Sequence, residues 1–207
     1  MEVTALVLYG VYLALTFGIR VALQVRRTGS TGVKGLPSDA GPVERLAGGL
    51  FVLALGAGFA APALTLAGVL EPIAALDGAV GNAIGVVLTV SGILLTFGAQ
   101  LAMGDAWRIG VDPAERTRLV TEGPFRLVRN PIYSALIPTV LGLLLMVPNV
   151  VALAGFAAIL VSLELQVRLV EEPYLQQVHG DAYARYAARV GRFLPGLGLL
   201  QGDRTFA

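Results

Sequence analysis

Five long apolar runs restrict what this chain can fold into. They cover roughly Thr4 to Val25, Leu46 to Leu70, Ala79 to Met103, Pro131 to Val147 and Val150 to Val170. Several reach about 18 residues or more, the length an α-helix needs to cross bilayer hydrocarbon. In lipid a backbone has to satisfy its own hydrogen bonds, and a helix does so within one segment. With 56% hydrophobic residues, 14% charged residues and a mean hydropathy of +0.75, composition overrules a soluble globule. The sequence predicts an all-α fold, a polytopic membrane helix bundle of about five transmembrane helices with a cytosolic C-terminal helical tail. Met1-Glu2-Val3 carries no positive n-region, so the first run is read as a retained span and not a cleaved signal.

Charge orients the bundle. Of 15 Lys and Arg, four lie between the first two runs (Arg26, Arg27, Lys34, Arg45) and five between Gly104 and Asn130. Five more follow the last run (Arg168, Arg185, Arg189, Arg192, Arg204), and Arg20 closes the count. The opposite ends carry none, so the positive-inside rule puts the N-terminus outside and the C-terminus in the cytosol, in a bacterial-type inner (plasma) membrane. Arg20 reads as a snorkelling anchor and Trp107 with Arg108 as an interfacial belt. A pI near 8.1 is too mild to argue for nucleic acid, and the absence of cysteine removes disulfides and thiolate metal sites.

Pro148-Asn149 is all that separates the last two runs, which makes them an antiparallel hairpin. That hairpin returns Glu171 and Glu172 to the membrane face that holds Asn130 and Pro131. The chain thus divides into a scaffold, residues 1–103, and a candidate catalytic region, residues 104–207. Glu164 and Arg168 have the spacing and order of an intrahelical ion pair. Two adjacent acids at a helix C-terminus oppose its macrodipole, and Pro173 is expected to stop or kink the helix there. A local rule broken in this way points to function. Asp181 to Arg192 reads as an amphipathic helix, with Tyr183, Tyr186 and Val190 on one stripe and Arg185, Arg189 and Arg192 on the other. Gly29-x-x-Gly32-x-x-Gly35 follows no strand and reads as flexible loop. Gly81-x-x-x-Gly85 and Gln100 read as internal helix packing and an interhelical hydrogen bond. His179 stands without partners at ligand spacing and reads as a cap or surface residue.

Taken together, Gly123-Pro-Phe-Arg-x-x-Arg129-Asn130-Pro131-x-Tyr133, a helical hairpin, Glu171-Glu172-x-x-Leu175, Gly180-x-x-Tyr183-x-x-Tyr186 and Arg192-Phe-x-Pro195 resemble one family. It is the isoprenylcysteine carboxyl methyltransferase and phospholipid methyltransferase family of integral membrane methyltransferases. The resemblance covers roughly Trp107 to Pro195. Two positions depart from it. The usual Arg-His-Pro is Arg129-Asn130-Pro131, and the Gly two residues beyond the Tyr is Ala135. Asn donates and accepts but carries no cationic imidazole, which tilts the reading towards phospholipid-type relatives.

The resemblance implies S-adenosylmethionine as cofactor on the cytosolic side, membrane lipids as surroundings, and a lipophilic substrate entering from the bilayer. It places Gly123, Pro124, Arg129, Asn130, Tyr133, Glu171, Tyr183 and Tyr186 around the cofactor, and Glu172 with Arg189 at the acceptor as catalytic residues. Two alternatives stay open: an NADPH-dependent sterol-reductase-like enzyme, which shares an Arg-x-Pro-x-Tyr signature, and a non-catalytic membrane helper or transporter. The methyl acceptor and the oligomeric state are not encoded in these patterns.

Overall fold

The computed structural model describes residues 1–35, 40–110 and 118–200. Asp112, Glu115, Arg116 and Arg204 lie outside them. Helix α1 spans Glu2–Thr28, α2 Pro42–Leu66, α3 Ala79–Met103, α4 Pro131–Met146, α5 Val150–His179 and α6 Asp181–Ala187. Four of these, α1, α2, α3 and α5, are long and apolar enough to cross a membrane. Helix α4 is shorter. Its 16 residues rise about 24 Å at 1.5 Å per residue, against roughly 30 Å of hydrocarbon. Outward-facing apolar residues such as Val52, Val80, Val87, Leu94 and Leu95 are more than 60% exposed, as a lipid-facing surface requires.

Local chemistry starts and stops these helices. Pro42 and Pro131 occupy first-turn positions, where a missing N–H costs nothing. Glu44 accepts the Gly41 N–H at 2.7 Å, and Gly29 ends α1 at φ +74°. Asn149, fully buried, makes the expected hairpin turn. Its side-chain oxygen caps α5 through the Ala152 N–H at 2.8 Å, while its amide donates to Ala61 O (3.0 Å) and Thr65 Oγ1 (2.8 Å) on α2.

The hairpin partners barely lean on each other. Helix α4 packs along α3, and α5 packs along α2, with α1 laid against α2 and touching α3 and α4. The α3–α4 seam is built from small residues. A methyl group at Gly85 would meet Gly142 O at 2.7 Å, and one at Gly142 would meet Gly85 O at 2.5 Å. Gly85 therefore serves internal packing, as expected. Gln100 Nε2 donates to Thr16 O across α3 and α1 at 3.2 Å, again the expected interhelical bond.

Two expectations at the polar end need correction. Arg20 does not snorkel. It is 1% exposed, donates to Gly104 O at 2.5 Å, and lies 4.5 Å over the Trp107 ring. Trp107 is itself 2% exposed and not at an open headgroup surface. A cation stacked on an indole away from water gains more than one at the interface, which is what draws both residues inward. The glycine-rich loop is also pinned: Ile109 N donates to Gly32 O (2.8 Å) and Lys34 N to Ile109 O (3.0 Å).

Candidate active site

The polar end is shaped by one widened turn in α5. The chain passes from α-helix into a π turn at Val167–Glu171 and resumes α-helix at Glu172–His179. Of the stop or kink expected at Pro173 the stop is excluded, and with it the argument that two acids oppose a helix terminus. Proline in a regular helix clashes with the preceding turn and lacks its N–H. A π turn just before it relieves that conflict, and such turns gather at functional sites. The wider turn also sends the two neighbouring carboxylates to different partners.

Glu171 faces into the bundle end. Its Oε1 accepts from the Tyr133 hydroxyl at 2.6 Å and from Gln166 Nε2 at 3.3 Å, and the residue is half-buried. Tyr133 packs on the apolar core that contains Tyr9 and Tyr12. Arg108 supplies a nearby positive charge. Its Nη2 contacts the Tyr174 hydroxyl at 3.2 Å, and its guanidinium lies 5.4 Å from the Tyr174 ring centre.

Glu172 faces the cap and is buried. Arg129 Nη2 donates to it at 2.5 Å, and Arg192 grips it through Nε (2.8 Å) and Nη2 (2.7 Å). The hydrogen bonds to Glu172 hold the Arg192 guanidinium above its usual value. Arg129 also donates to Ala187 O (3.1 Å), Val190 O (2.5 Å) and Gly198 O (3.0 Å). Around this triad the tail is zipped to the loop: Arg129 N to Gly191 O at 2.7 Å and Asn130 N to Arg192 O at 3.1 Å. The Asn130 amide reaches the same Arg192 carbonyl at 3.2 Å, and Ser134 Oγ donates to Phe193 O at 2.8 Å. Tyr186 donates to Phe125 O at 2.6 Å and meets Tyr183 edge-on, ring centres 6.3 Å apart. Burial pushes the Tyr186 phenol up to about 12, so it stays a neutral donor at physiological pH.

The hairpin therefore brings the Arg129-Asn130 corner, both acids and the tyrosine-bearing tail to one end of the bundle, as the turn at Pro148-Asn149 implied. Gly123, at φ +59°, and Pro124 open the short 3₁₀ turn Gly123–Arg126, beside Ala102 of α3. Arg129, Asn130, Tyr183 and Tyr186 lie in the same cap, but their polar groups are engaged with the protein itself. Arg189 lies apart from the cluster: its side chain is exposed and its Nε returns to Arg185 O at 3.1 Å. The tail helix ends at Ala187, so Arg192, expected on one stripe with Arg185 and Arg189, turns inward onto Glu172. The Glu164–Arg168 ion pair forms on the exposed surface as expected.

Arg108, Gln166, Tyr174 and Arg192 join the site without having been singled out for it. Gln166 and Glu171 are five apart, a spacing that regular α-helix places on different faces and only a π turn aligns.

A family model for phospholipid methyltransferase matches residues 80–182, from α3 to the start of α6. "Protein-S-isoprenylcysteine O-methyltransferase B" of Arabidopsis thaliana is 29% identical over 113 residues, 54% of this chain and 57% of that protein. "Cobalt-zinc-cadmium resistance protein CzcN" of Cupriavidus metallidurans is 30% identical over 122 residues, 56% of each. The chain thus spans little more than half the length of these relatives. Among solved structures, the eukaryotic intramembrane Ras methyltransferase ICMT (isoprenylcysteine carboxyl methyltransferase) superposes with a TM-score of 0.57 at 21% identity. That superposition covers 95% of this chain and 69% of the other, and it shows a shared fold. Over residues 80–182 the chain is thus similar to the phospholipid methyltransferase family, and its fold is shared with an intramembrane methyltransferase.

Proposed function

We propose that this chain is an S-adenosylmethionine-dependent membrane methyltransferase that moves a methyl group to a lipophilic acceptor at its cytosolic end. One observation carries the reading. At the polar end of the bundle, Glu171 is a half-buried acid held by Tyr133 and Gln166, and Tyr133 rests on apolar core. A small apolar cavity of about 40 Å³, lined by Tyr9, Tyr12, Phe51, Leu136, Leu143 and Ile159, lies in that core. The donor set fits the cofactor. Glu171 offers an anion for hydroxyl, ammonium or sulfonium groups, Arg108 a cation for a carboxylate, and Tyr133 and Tyr174 offer ring faces.

The cofactor, when bound, supplies an electrophilic methyl on a sulfonium. The chain has to align the acceptor and keep water away, and alignment alone is worth roughly 7–11 kcal/mol. Glu171, oriented by two hydrogen bonds, fixes the polar side of that alignment. The cap closed by Glu172, Arg129 and Arg192 excludes water and strengthens the electrostatics beneath it. In this reading residues 1–103 are scaffold and 104–207 hold the chemistry. Glu172 acts by positioning the cap, and Arg189 contributes only if the tail moves on binding. Arginine and lysine on one side orient the protein with that end in the cytosol.

The test is transfer of a tritiated methyl from S-adenosylmethionine into a membrane lipid extract, with the labelled product identified chemically. Labelled lipid with wild type, lost in Glu171→Gln, supports the reading. Equilibrium binding of NADPH but not of S-adenosylmethionine refutes it and favours a reductase.

A further inference from the structure

We infer that the tail turn Phe193–Leu200 is a membrane-seated element, dipping into the acyl boundary of the bilayer beside α4. Leu194, Leu197 and Leu199 are 59%, 61% and 44% exposed, and no charged residue lies between Phe193 and Leu200. Leu127, next to the Val128–Gly191 bridge that holds the turn, is 65% exposed. A cluster of bare leucines on a rigid loop has no stable place in water.

Two observations select lipid as the occupant. The first is continuity with the lipid-facing bundle. Ser134, in the first turn of α4, holds the Phe193 carbonyl at 2.8 Å, and Phe193 packs against the main apolar core. The turn therefore sits at the mouth of the bundle beside the short helix α4, where residues on neighbouring helices already face hydrocarbon. The second is partial pairing of the turn's backbone, of the kind irregular chain needs at membrane depth, with Leu197 N donating to Leu194 O and Leu200 N to Ala187 O. The carbonyls of Arg192, Phe193, Leu194, Leu197 and Gly198 all accept hydrogen bonds within the protein. The closure is tight: Gly196 and Gly198 adopt φ +73° and +71°, and a methyl at Gly191 would meet Leu197 O at 2.8 Å.

Arg192 directly precedes this turn, and its own N–H donates to Leu197 O at 2.8 Å. The bilayer thus holds the same segment that delivers Arg192 to Glu172, whatever reaction the site performs.

The chain contains no cysteine, so single labelling sites are available in the full-length protein. Leu194→Cys, Leu197→Cys and Leu199→Cys would each carry a nitroxide, in nanodiscs of phosphatidylcholine and phosphatidylglycerol, with Arg185→Cys as the aqueous reference. The three positions keep the test intact if one variant fails to fold. The expected result is an oxygen-to-nickel-chelate accessibility ratio several-fold above the Arg185→Cys value, with stronger relaxation by lipids nitroxide- or metal-labelled near the headgroup than at mid-chain. Nickel accessibility equal to the reference would overturn the proposal, as would spin–spin broadening that marks a second copy on the leucines.

Discussion

Replacing Glu172 by Gln tests whether the cap is locked by charge. The Glu172, Arg129 and Arg192 side chains are 8%, 2% and 9% exposed, so neither guanidinium has water to turn to. Removing one partner of a buried ion pair costs about 3–5 kcal/mol, because the other charge is left uncompensated. Gln keeps a carbonyl for one of the two cations, and a hydrogen bond to a charged group returns about 1.5–3 kcal/mol. The net expected loss is about 1.5–2 kcal/mol, which raises the unfolded-to-folded ratio roughly ten- to thirty-fold. Reversible unfolding in mixed micelles measures it. The double variant Glu172→Gln with Arg192→Met removes the second cation together with the acid. It should recover about 1 kcal/mol relative to Glu172→Gln, a coupling typical of residues in contact. A single variant within about 0.5 kcal/mol of wild type, the range of an ordinary surface change, would refute the lock. So would a double variant whose losses simply add.

Tyr133→Phe removes the hydroxyl that orients Glu171 and should cost about 1 kcal/mol of stability while lowering methyl transfer well beyond that; an unchanged rate would detach Tyr133 from the site. Gly142→Val forces branched carbon into the α3–α4 seam and should destabilise by about 1–3 kcal/mol or more, read as a fall in the unfolding midpoint. Trp107→Ala strips the face beneath Arg20 and should cost about 3–5 kcal/mol; a smaller effect than Tyr174→Ala would show the stacking to be incidental. Arg189→Ala, at an exposed position, should change stability by no more than about 0.5 kcal/mol and leave most methyl transfer intact. Loss of transfer would place Arg189 at the acceptor after tail movement.

Much of this architecture was legible in the sequence because hydropathy acts on whole segments. The third run, Ala79 to Met103, matches α3 at both ends, and Pro148-Asn149 marked the hairpin that carries Glu171 and Glu172 back to Asn130. What escaped was local. Periodicity assumes a regular helix, so it ended α5 at Pro173 and treated Glu171 and Glu172 as one acidic tip. The π turn separates them, sending Glu171 to Tyr133 and Glu172 to Arg129 and Arg192. The same assumption carried the tail helix through Arg192, whereas the chain turns at Ala188 and sends that guanidinium inward. Arg20 and Trp107 were each read alone, and their pairing spans 87 positions that no local pattern connects.

The glycine seam has a mechanical corollary. Where glycines bring backbone close to backbone, with Thr89, Thr139 and Met146 filling the same seam, two helices cannot splay without losing those contacts, so α3 and α4 travel as a single strut. Any doorway through which a hydrophobic guest slips sideways towards Tyr133 must then be cut on the other flank. There α1 lies along α2, with the Tyr9 hydroxyl donating to Leu55 O at 2.6 Å.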